Sequence, residues 1–157
     1  MIVLKKILVP TDFSDPSANA LRYAKALGDN FGAALHLMHV VNDTSFAYAW
    51  MAPEGAVPAD IDLRAEMEKH VRVQLDQVLT PEEQKRFRAQ LVLKVGSPFL
   101  EIVRYAKSED IDLIVMGTHG RGPIAHMLMG SVAEKVVRKA SCPVLTVRHP
   151  EHEFVLP

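Results

Sequence analysis

Short apolar runs alternate along the chain with stretches that carry apolar residues at helical spacing. Five such runs predict strands, at residues 6–9, 34–41, 90–95, 111–116 and 144–148. The first of them, K-I-L-V, is closed by Pro10. Nearly continuous apolar runs are typical of parallel strands that are buried on both faces.

Between the strands, apolar residues recur at the i, i+3, i+4 and i+7 spacing of one helix face. Ser14 followed by Asp15 and Pro16 predicts the start of the first helix. Further helices are predicted at 63–78, after Ser97, and at 131–140, and the T-P-E-E run that begins at Thr80 predicts a capping box. Five strands alternating with helices predict an α/β fold with helices on both faces of an open, five-stranded parallel sheet, which is a Rossmann-like arrangement.

The length of 157 residues suits one domain with a single core. We expect one domain over 1–157, with its core at about 5–148 and a tail at 149–157. The segment 42–59 has no clear period. Its Tyr48, Trp50 and Met51 would cover a ligand, bind a partner or, as we favour, belong to a surface loop.

Composition and charge exclude several classes of protein. The net charge is −1, with 18 basic and 19 acidic residues, so a broad nucleic-acid-binding surface is disfavoured. The single cysteine, Cys142, cannot form an internal disulfide. The apolar run 111–116 contains Asp112 and is too short to span a membrane. We therefore expect a soluble cytoplasmic protein with neither nucleic-acid nor membrane partners.

Candidate ligand-binding residues follow the first and fourth predicted strands, since ligands of open α/β sheets lie beyond the carboxyl ends of strands. Pro10, Thr11 and Asp12 follow the first strand. The fourth is followed by a G-x2-G-x9-G-S pattern formed by Gly117, Gly120, Gly130 and Ser131. Glycines permit positive φ and close approach of backbone N–H groups, and a helix start adds donors, so the pattern favours a phosphate site. The alternative, glycines that only turn the chain and a serine that only caps a helix, is left open by the spacing.

Other motifs are weaker. No Walker-type G-x4-G-K-[ST] sequence occurs, and the G-x-G-x-x-A match at Gly120 follows the wrong strand for a dinucleotide fingerprint. His36 and His39 lie three apart on a strand, so their side chains should point to opposite faces and not share a metal. We identify no catalytic and no metal-binding residues.

Three segments resemble the universal stress protein family: P-T-D-F-S at 10–14, the spaced glycine pattern, and S-V-A-E-K-V-V-R at 131–138 leading to C-P-V-L at 142–145. The resemblance extends from Lys5 to about Arg148. It implies a sheet in the order 3-2-1-4-5, in which the first and fourth strands are neighbours. Asp12 and the glycine loop would then lie on opposite lips of one crevice.

The resemblance also implies that the chain binds ATP, with or without Mg²⁺. Asp12 would accept hydrogen bonds from the ribose hydroxyls, while Pro10, Thr11 and Val40 would line the adenine pocket, with the Val40 backbone reading the base edge. Gly117, Gly120, Gly130 and Ser131 would hold the phosphates. To these we add Arg121, either as a mobile cation near the phosphates or as a solvated loop residue.

The expected function is a nucleotide-dependent switch in the stress response. Two alternatives stay open: a slow ATP hydrolase or phosphotransferase, and a non-catalytic interaction module with a degenerate pocket. Asp12 is the only obvious carboxylate at the crevice, which disfavours hydrolysis. The last strand, from Val144 to Arg148, would expose a sheet edge. In the family this strand pairs across a two-fold axis, so we expect a homodimer. The sequence does not identify the downstream protein partner.

Overall fold

The computed structural model describes residues 1–42, 62–118 and 129–148, in which five parallel strands form one sheet. The strands are β1 (Lys6–Pro10), β2 (Ala34–Val41), β3 (Gln90–Val95), β4 (Leu113–Gly117) and β5 (Val144–Val147). Their order is β3-β2-β1-β4-β5, with every neighbouring pair parallel. The α/β class and the strand order that the resemblance implies are both confirmed.

Several predicted strand boundaries were wrong by one or two residues. β1 and β4 each end one residue later than predicted, at Pro10 and Gly117. β4 begins at Leu113 and not at residue 111, because the Asp112 carboxylate accepts hydrogen bonds from the backbone N–H groups of Lys5 (2.7 Å) and Lys6 (2.9 Å). Asp112 thus links the residue before β4 to the start of β1, just before the strand pairing begins at Ile7 and Leu113. β5 ends at Val147, one residue earlier than predicted.

The helices are α1 (Asp15–Phe31), α2 (Leu63–Gln77), α3 (Pro81–Arg86), α4 (Pro98–Ser108) and α5 (Ser131–Lys139). Ser14 caps α1 by accepting a hydrogen bond from the Ser17 N–H, as predicted. The predicted capping box is present at α3, where Thr80 and Glu83 each accept from the other's backbone N–H. In the described part of the chain, no helix combines the length and apolar character needed to cross a membrane.

The sheet separates two apolar clusters because successive strand residues point to opposite faces. The first cluster places Ile7 and Val9 against α1 and also contains Leu75 of α2. The second cluster places Leu8 against α4 and α5. The three β1 residues have no exposed surface. Their burial on both faces explains the continuous apolar run, and it fixes the carboxyl end of β1 in the middle of the sheet.

Candidate functional site

A cavity of about 420 Å³ opens beyond the carboxyl ends of β1, β2 and β4. It lies where the chain connections diverge: β1 is followed by α1 on one face, and β4 leads to α5 on the other. This is the position at which open α/β sheets bind ligands. Its described lining consists of Pro10, Thr11, Asp12, Ser17, Met38, His39, Val40, Pro98, Ile102, Met116, Gly117, Thr118, Gly130, Ser131, Val132 and Ala133.

Most of the predicted binding residues meet around this cavity. Seven of them lie in its lining: Pro10, Thr11, Asp12, Val40, Gly117, Gly130 and Ser131. They come from four separate places in the sequence, and the β2-β1-β4 neighbourhood brings them together. The remaining two predicted residues, Gly120 and Arg121, lie outside the described residues, as do Tyr48, Trp50 and Met51.

A network of short-range hydrogen bonds holds the loop between β1 and α1. One carboxylate oxygen of Asp12, Oδ1, accepts from the Ser14 backbone N–H at 3.0 Å and also from the Ser14 hydroxyl. The Ser17 hydroxyl donates its one hydrogen to the Ser14 carbonyl at 2.8 Å. The Thr11 hydroxyl, 3.1 Å from Ser17 Oγ, is therefore the donor of the bond between these two side chains. Within residues 1–42, 62–118 and 129–148, the other oxygen of Asp12, Oδ2, has no hydrogen-bond partner. Asp12 therefore presents an oriented acceptor at the cavity.

The opposite lip joins the end of β4 to the start of α5. The Thr118 N–H donates to the Val147 carbonyl at 3.0 Å, and the Gly130 N–H donates to the Thr118 carbonyl at 2.5 Å. The Gly130 N–H is therefore engaged within the chain. The donors at this lip are those that every helix start leaves without an intrahelical acceptor, here the N–H groups of Ser131, Val132 and Ala133.

A positive φ, one of the two properties expected of the glycines after the fourth strand, is not found at Gly117. Gly130 has φ −69°, and Gly117 lies within β4 without a positive φ, so neither needs glycine for its own backbone conformation. At Gly117 the requirement is space, since a Cβ atom there would lie 2.9 Å from the Pro16 carbonyl oxygen. Gly117 therefore permits close packing of α1 on β4.

Ser131 is not the N-cap of α5. Gly130 occupies the cap position, without a side-chain cap bond, and Ser131 is the exposed first residue of the helix. The alternative interpretation of Ser131 as only a helix cap is thus wrong. Ser131 lies in the cavity lining together with Val132 and Ala133 of the same first turn, where the positive end of the helix dipole favours an anion.

The backbone of Val40 extends beyond the end of β1. Pro10, the last residue of β1, pairs with Met38, and the Met38 carbonyl accepts the Thr11 N–H at 2.8 Å. In a parallel strand, alternate residues direct their N–H and C=O groups to the same side. Val40 therefore directs its backbone groups to the side of β1 where no β1 residue stands opposite. A donor–acceptor pair at this place suits the edge of a planar base.

The apolar floor of the cavity was not predicted as part of the site. Met38 and Met116 are the buried residues near the carboxyl ends of β2 and β4, and Ile102 of α4 closes the floor between them. Their signal in the sequence was an apolar position near the carboxyl end of a central strand, which periodicity assigns only to the core. Asp12 is the one formally charged side chain in the described lining. Because the described lining holds no cationic side chain, it would attract phosphate through backbone N–H groups and the helix dipole.

The two histidines of β2 lie on opposite faces, as their spacing predicts. His36 is 1% exposed, and its Nδ1 lies 2.8 Å from the Tyr105 hydroxyl of α4. Burial, reinforced by the charge of Lys6, holds the pKa of His36 below its ordinary value, and burial raises the pKa of Tyr105 to about 12. His39 instead contacts the β1–α1 loop. Among the residues that the structure describes, no three histidine, cysteine or carboxylate side chains converge as metal ligands.

The chain is similar to known proteins along almost its whole length. Residues 4–148 match the model of the universal stress protein family. The sequence is 35% identical over 149 residues to the universal stress protein MJ0531 of Methanocaldococcus jannaschii, covering 95% of this chain and 85% of that protein. The solved structure of protein MJ0577, from the same organism, has a TM-score of 0.79 and 30% identity, covering 94% of this chain and 98% of that one. A universal stress protein crystallised in complex with cAMP has a TM-score of 0.63 and 25% identity, covering 93% and 98%.

Proposed function

The chain belongs to the universal stress protein family, and we propose that it binds ATP in the cavity between Asp12 and the start of α5 and acts as a nucleotide-dependent switch. The observation that carries this proposal is the pairing of an oriented carboxylate on one lip with a helix N-terminus on the other. A nucleoside needs hydrogen-bond acceptors for its sugar hydroxyls, and phosphate needs N–H donors. The two lips supply these two chemistries separately.

The proposed base and sugar sites are formed by β1 and β2. The adenine ring would lie against Pro10 and the apolar floor, with its edge toward the Val40 backbone beyond the end of β1. Asp12 Oδ2 would accept from the ribose hydroxyls, because Oδ1 is already engaged by Ser14. The adenine nucleotide in the related cAMP complex supports this class of ligand.

The proposed phosphate site is the first turn of α5. The N–H groups of Ser131, Val132 and Ala133 and the Ser131 hydroxyl would bind phosphate oxygens. Gly130 would contribute by having no side chain at the cavity wall, and Gly120 and Arg121 would join from the neighbouring loop. Mg²⁺ would be held mainly by phosphate oxygens and water, because the described lining offers Asp12 as its only carboxylate.

Calorimetric titration with ATP in the presence of Mg²⁺ tests the proposal directly. Gly130→Val places a branched side chain in the cavity wall at backbone angles that valine tolerates, φ −69° and ψ 154°. We expect the parent protein to bind and the Gly130→Val variant to lose binding while remaining folded by circular dichroism. A parent protein that shows no heat of binding at millimolar ATP would refute the proposal.

We propose binding rather than turnover as the function. The described lining contains one carboxylate, Asp12, and one imidazole, His39, and both belong to the lip assigned to the sugar. Neither is placed to activate water beside a γ-phosphate at the start of α5. Phosphate release by the parent should therefore not exceed that of the Gly130→Val variant. A steady excess in the parent would favour the hydrolase or phosphotransferase alternative.

We further propose a homodimer through the outer edge of β5. β5 is the last strand of the order, and Leu145 on it is 37% exposed. Uncovered sheet edges favour pairing with another strand. Leu145→Lys should shift the sedimentation coefficient from dimer to monomer. The matched control is Leu100→Lys, the same substitution on α4 at a residue that is 39% exposed. It should leave the dimer intact. A monomeric parent would contradict the proposal.

We place the protein in the cytoplasm. Its one cysteine, Cys142, is half-buried against the second cluster and has no partner in the sequence for an internal disulfide. Cell fractionation should recover the chain with cytoplasmic markers, and its recovery with exported proteins would contradict this location.

A further inference from the structure

We infer that His39 is a positioning residue for the nucleotide site: it holds the β1–α1 loop so that Asp12 keeps its orientation toward the sugar. The inference rests on the proposed function, since the sugar contact of Asp12 belongs to that proposal. Its structural basis is independent of any ligand. Two contacts join His39 to the residues on either side of Asp12, one to Thr11 and one to Phe13.

The first contact is a hydrogen bond from the imidazole to the backbone. Nδ1 of His39 lies 2.8 Å from the carbonyl oxygen of Thr11. A carbonyl oxygen only accepts, so Nδ1 must carry the hydrogen. The Thr11 N–H also donates to β2, to the Met38 carbonyl at 2.8 Å. Both backbone groups of Thr11 are therefore tied to consecutive residues of β2, which fixes the peptide leading to Asp12.

The second contact holds an unfavourable backbone conformation. Phe13 has φ 63°, in the left-handed region that a bulky residue rarely adopts. Its ring stacks on the His39 ring, with centroids 4.6 Å apart and planes at 26°, and its N–H donates to Thr11 Oγ1 at 3.1 Å. Such a conformation persists only where the surroundings impose it. The His39 ring is one of the groups that impose it.

Asp12 lies between these two anchored residues. With Thr11 and Phe13 held, Asp12 stays in the cavity lining and its Oδ1 accepts the Ser14 N–H at 3.0 Å. If the loop relaxed toward an ordinary φ at Phe13, the ligand would have to order Asp12 on binding and would lose affinity in proportion. The loss should fall on the sugar contact rather than on the base or the phosphates.

The test compares ATP with 2′,3′-dideoxyATP, which lacks both sugar hydroxyls. His39→Leu removes the donor to Thr11 and the stacked ring. We expect it to raise the Kd for ATP about tenfold and the Kd for dideoxyATP less than about twofold, so that discrimination between the two nucleotides collapses. His39→Asn should restore part of the discrimination, because its amide nitrogen is separated from Cβ by the same number of bonds as Nδ1. His39→Gln, whose amide is one bond longer, should restore less.

Amide hydrogen exchange in the ligand-free protein gives a second, independent measurement. The Phe13 and Ser14 amides, which donate to Thr11 Oγ1 and Asp12 Oδ1, should exchange at least about tenfold faster in His39→Leu. A folded His39→Leu variant with unchanged amide exchange and unchanged ATP-to-dideoxyATP discrimination would overturn the inference. If His39→Leu does not fold, the other two variants decide. The same ATP-to-dideoxyATP discrimination in His39→Asn as in His39→Gln would then overturn the inference. A parent protein that binds neither nucleotide refutes the proposed function, and amide exchange then still decides whether His39 holds the loop.

Discussion

A Cβ atom at Gly117 would lie 2.9 Å from the carbonyl oxygen of Pro16, the second residue of α1. The first turn of α1 thus packs directly against the end of β4, with the backbone carbonyl group of Pro16 as the nearest neighbour. This packing places the β1–α1 loop, which carries Asp12, beside the strand that leads to α5. The distance between the two lips of the cavity depends on it.

Gly117→Ala should destabilise the fold. Because the obstructing atoms belong to the backbone of α1, the added methyl group must displace a helix, and overpacking of this kind costs about 1–3 kcal/mol. Urea unfolding followed by circular dichroism measures the change. Gly28→Ala is the control, since its Cβ would meet the side chain of Phe87 at the longer distance of 3.1 Å and no backbone atom, and since alanine improves helix propensity. An equal loss in both variants would contradict the explanation.

Ser131→Glu should separate phosphate binding from helix stability. A carboxylate in the first turn of α5 interacts favourably with the helix dipole, by about 0.3–1 kcal/mol, so the fold should keep its stability. The same charge would repel the phosphates, and we expect a loss of ATP affinity of at least about tenfold, or 1.4 kcal/mol. Calorimetry and urea unfolding on one preparation measure both effects. Ser131→Ala, which removes the hydroxyl without adding charge, should lose less affinity.

Thr80→Ala should destabilise the protein by about 1 kcal/mol, because it removes the side-chain acceptor of the α3 capping box. The Thr80 hydroxyl accepts the Glu83 N–H at 3.2 Å, and Glu83 in turn accepts from Lys25 of α1 at 2.6 Å. Chemical denaturation gives the free energy of unfolding. Ser141→Ala, at an exposed position outside the helices, should change it by less than about 0.5 kcal/mol.

The stability of the fold should fall as the pH drops below 6.5, through His36. Burial lowers the pKa of His36 in the folded protein from 6.5, so the unfolded chain takes up a proton before the folded chain does. The contribution is therefore complete above the unfolded pKa and is lost as the pH falls toward the lowered folded value. Urea unfolding between pH 8 and 5 measures the slope.

His36→Phe should flatten that slope, since it removes the titrating group and keeps an aromatic ring at this buried position. His70→Phe, at an exposed position of α2, serves as the control and should retain the slope of the parent. An unchanged slope in His36→Phe would assign the acid sensitivity to other groups.

Several features of the site could be predicted from local sequence. The two motifs at the cavity, around Asp12 and around Gly130, follow apolar runs that end in a turn, and parallel strands place such turns at one edge. The role of Gly117 could not be predicted in this way, because Pro16, which imposes it, lies about a hundred residues away in the chain. The engagement of the Gly130 N–H by Thr118 likewise depends on where α5 begins relative to β4.

His39 shows the same limit. The sequence relates His39 only to His36, and because the two side chains point to opposite faces of the strand it predicts no shared metal site. Its contacts with Thr11 and Phe13 arise because β2 extends past the end of β1 and runs beside the loop that follows it. Register between strands is a property of the folded sheet, and no local pattern encodes it.

The sequence by itself determined the five strands, the caps of α1 and α3 and the segments that follow the central strands, because periodicity, capping and turn chemistry act between residues close in the chain. The strand order was available only through the family resemblance. The tertiary structure alone decided which glycine is needed for packing, which N–H groups are left for a ligand, and how Asp12 is oriented. These depend on distances of about 3 Å between groups from different elements, which only the packing of α1, β2 and α5 around the end of β1 sets.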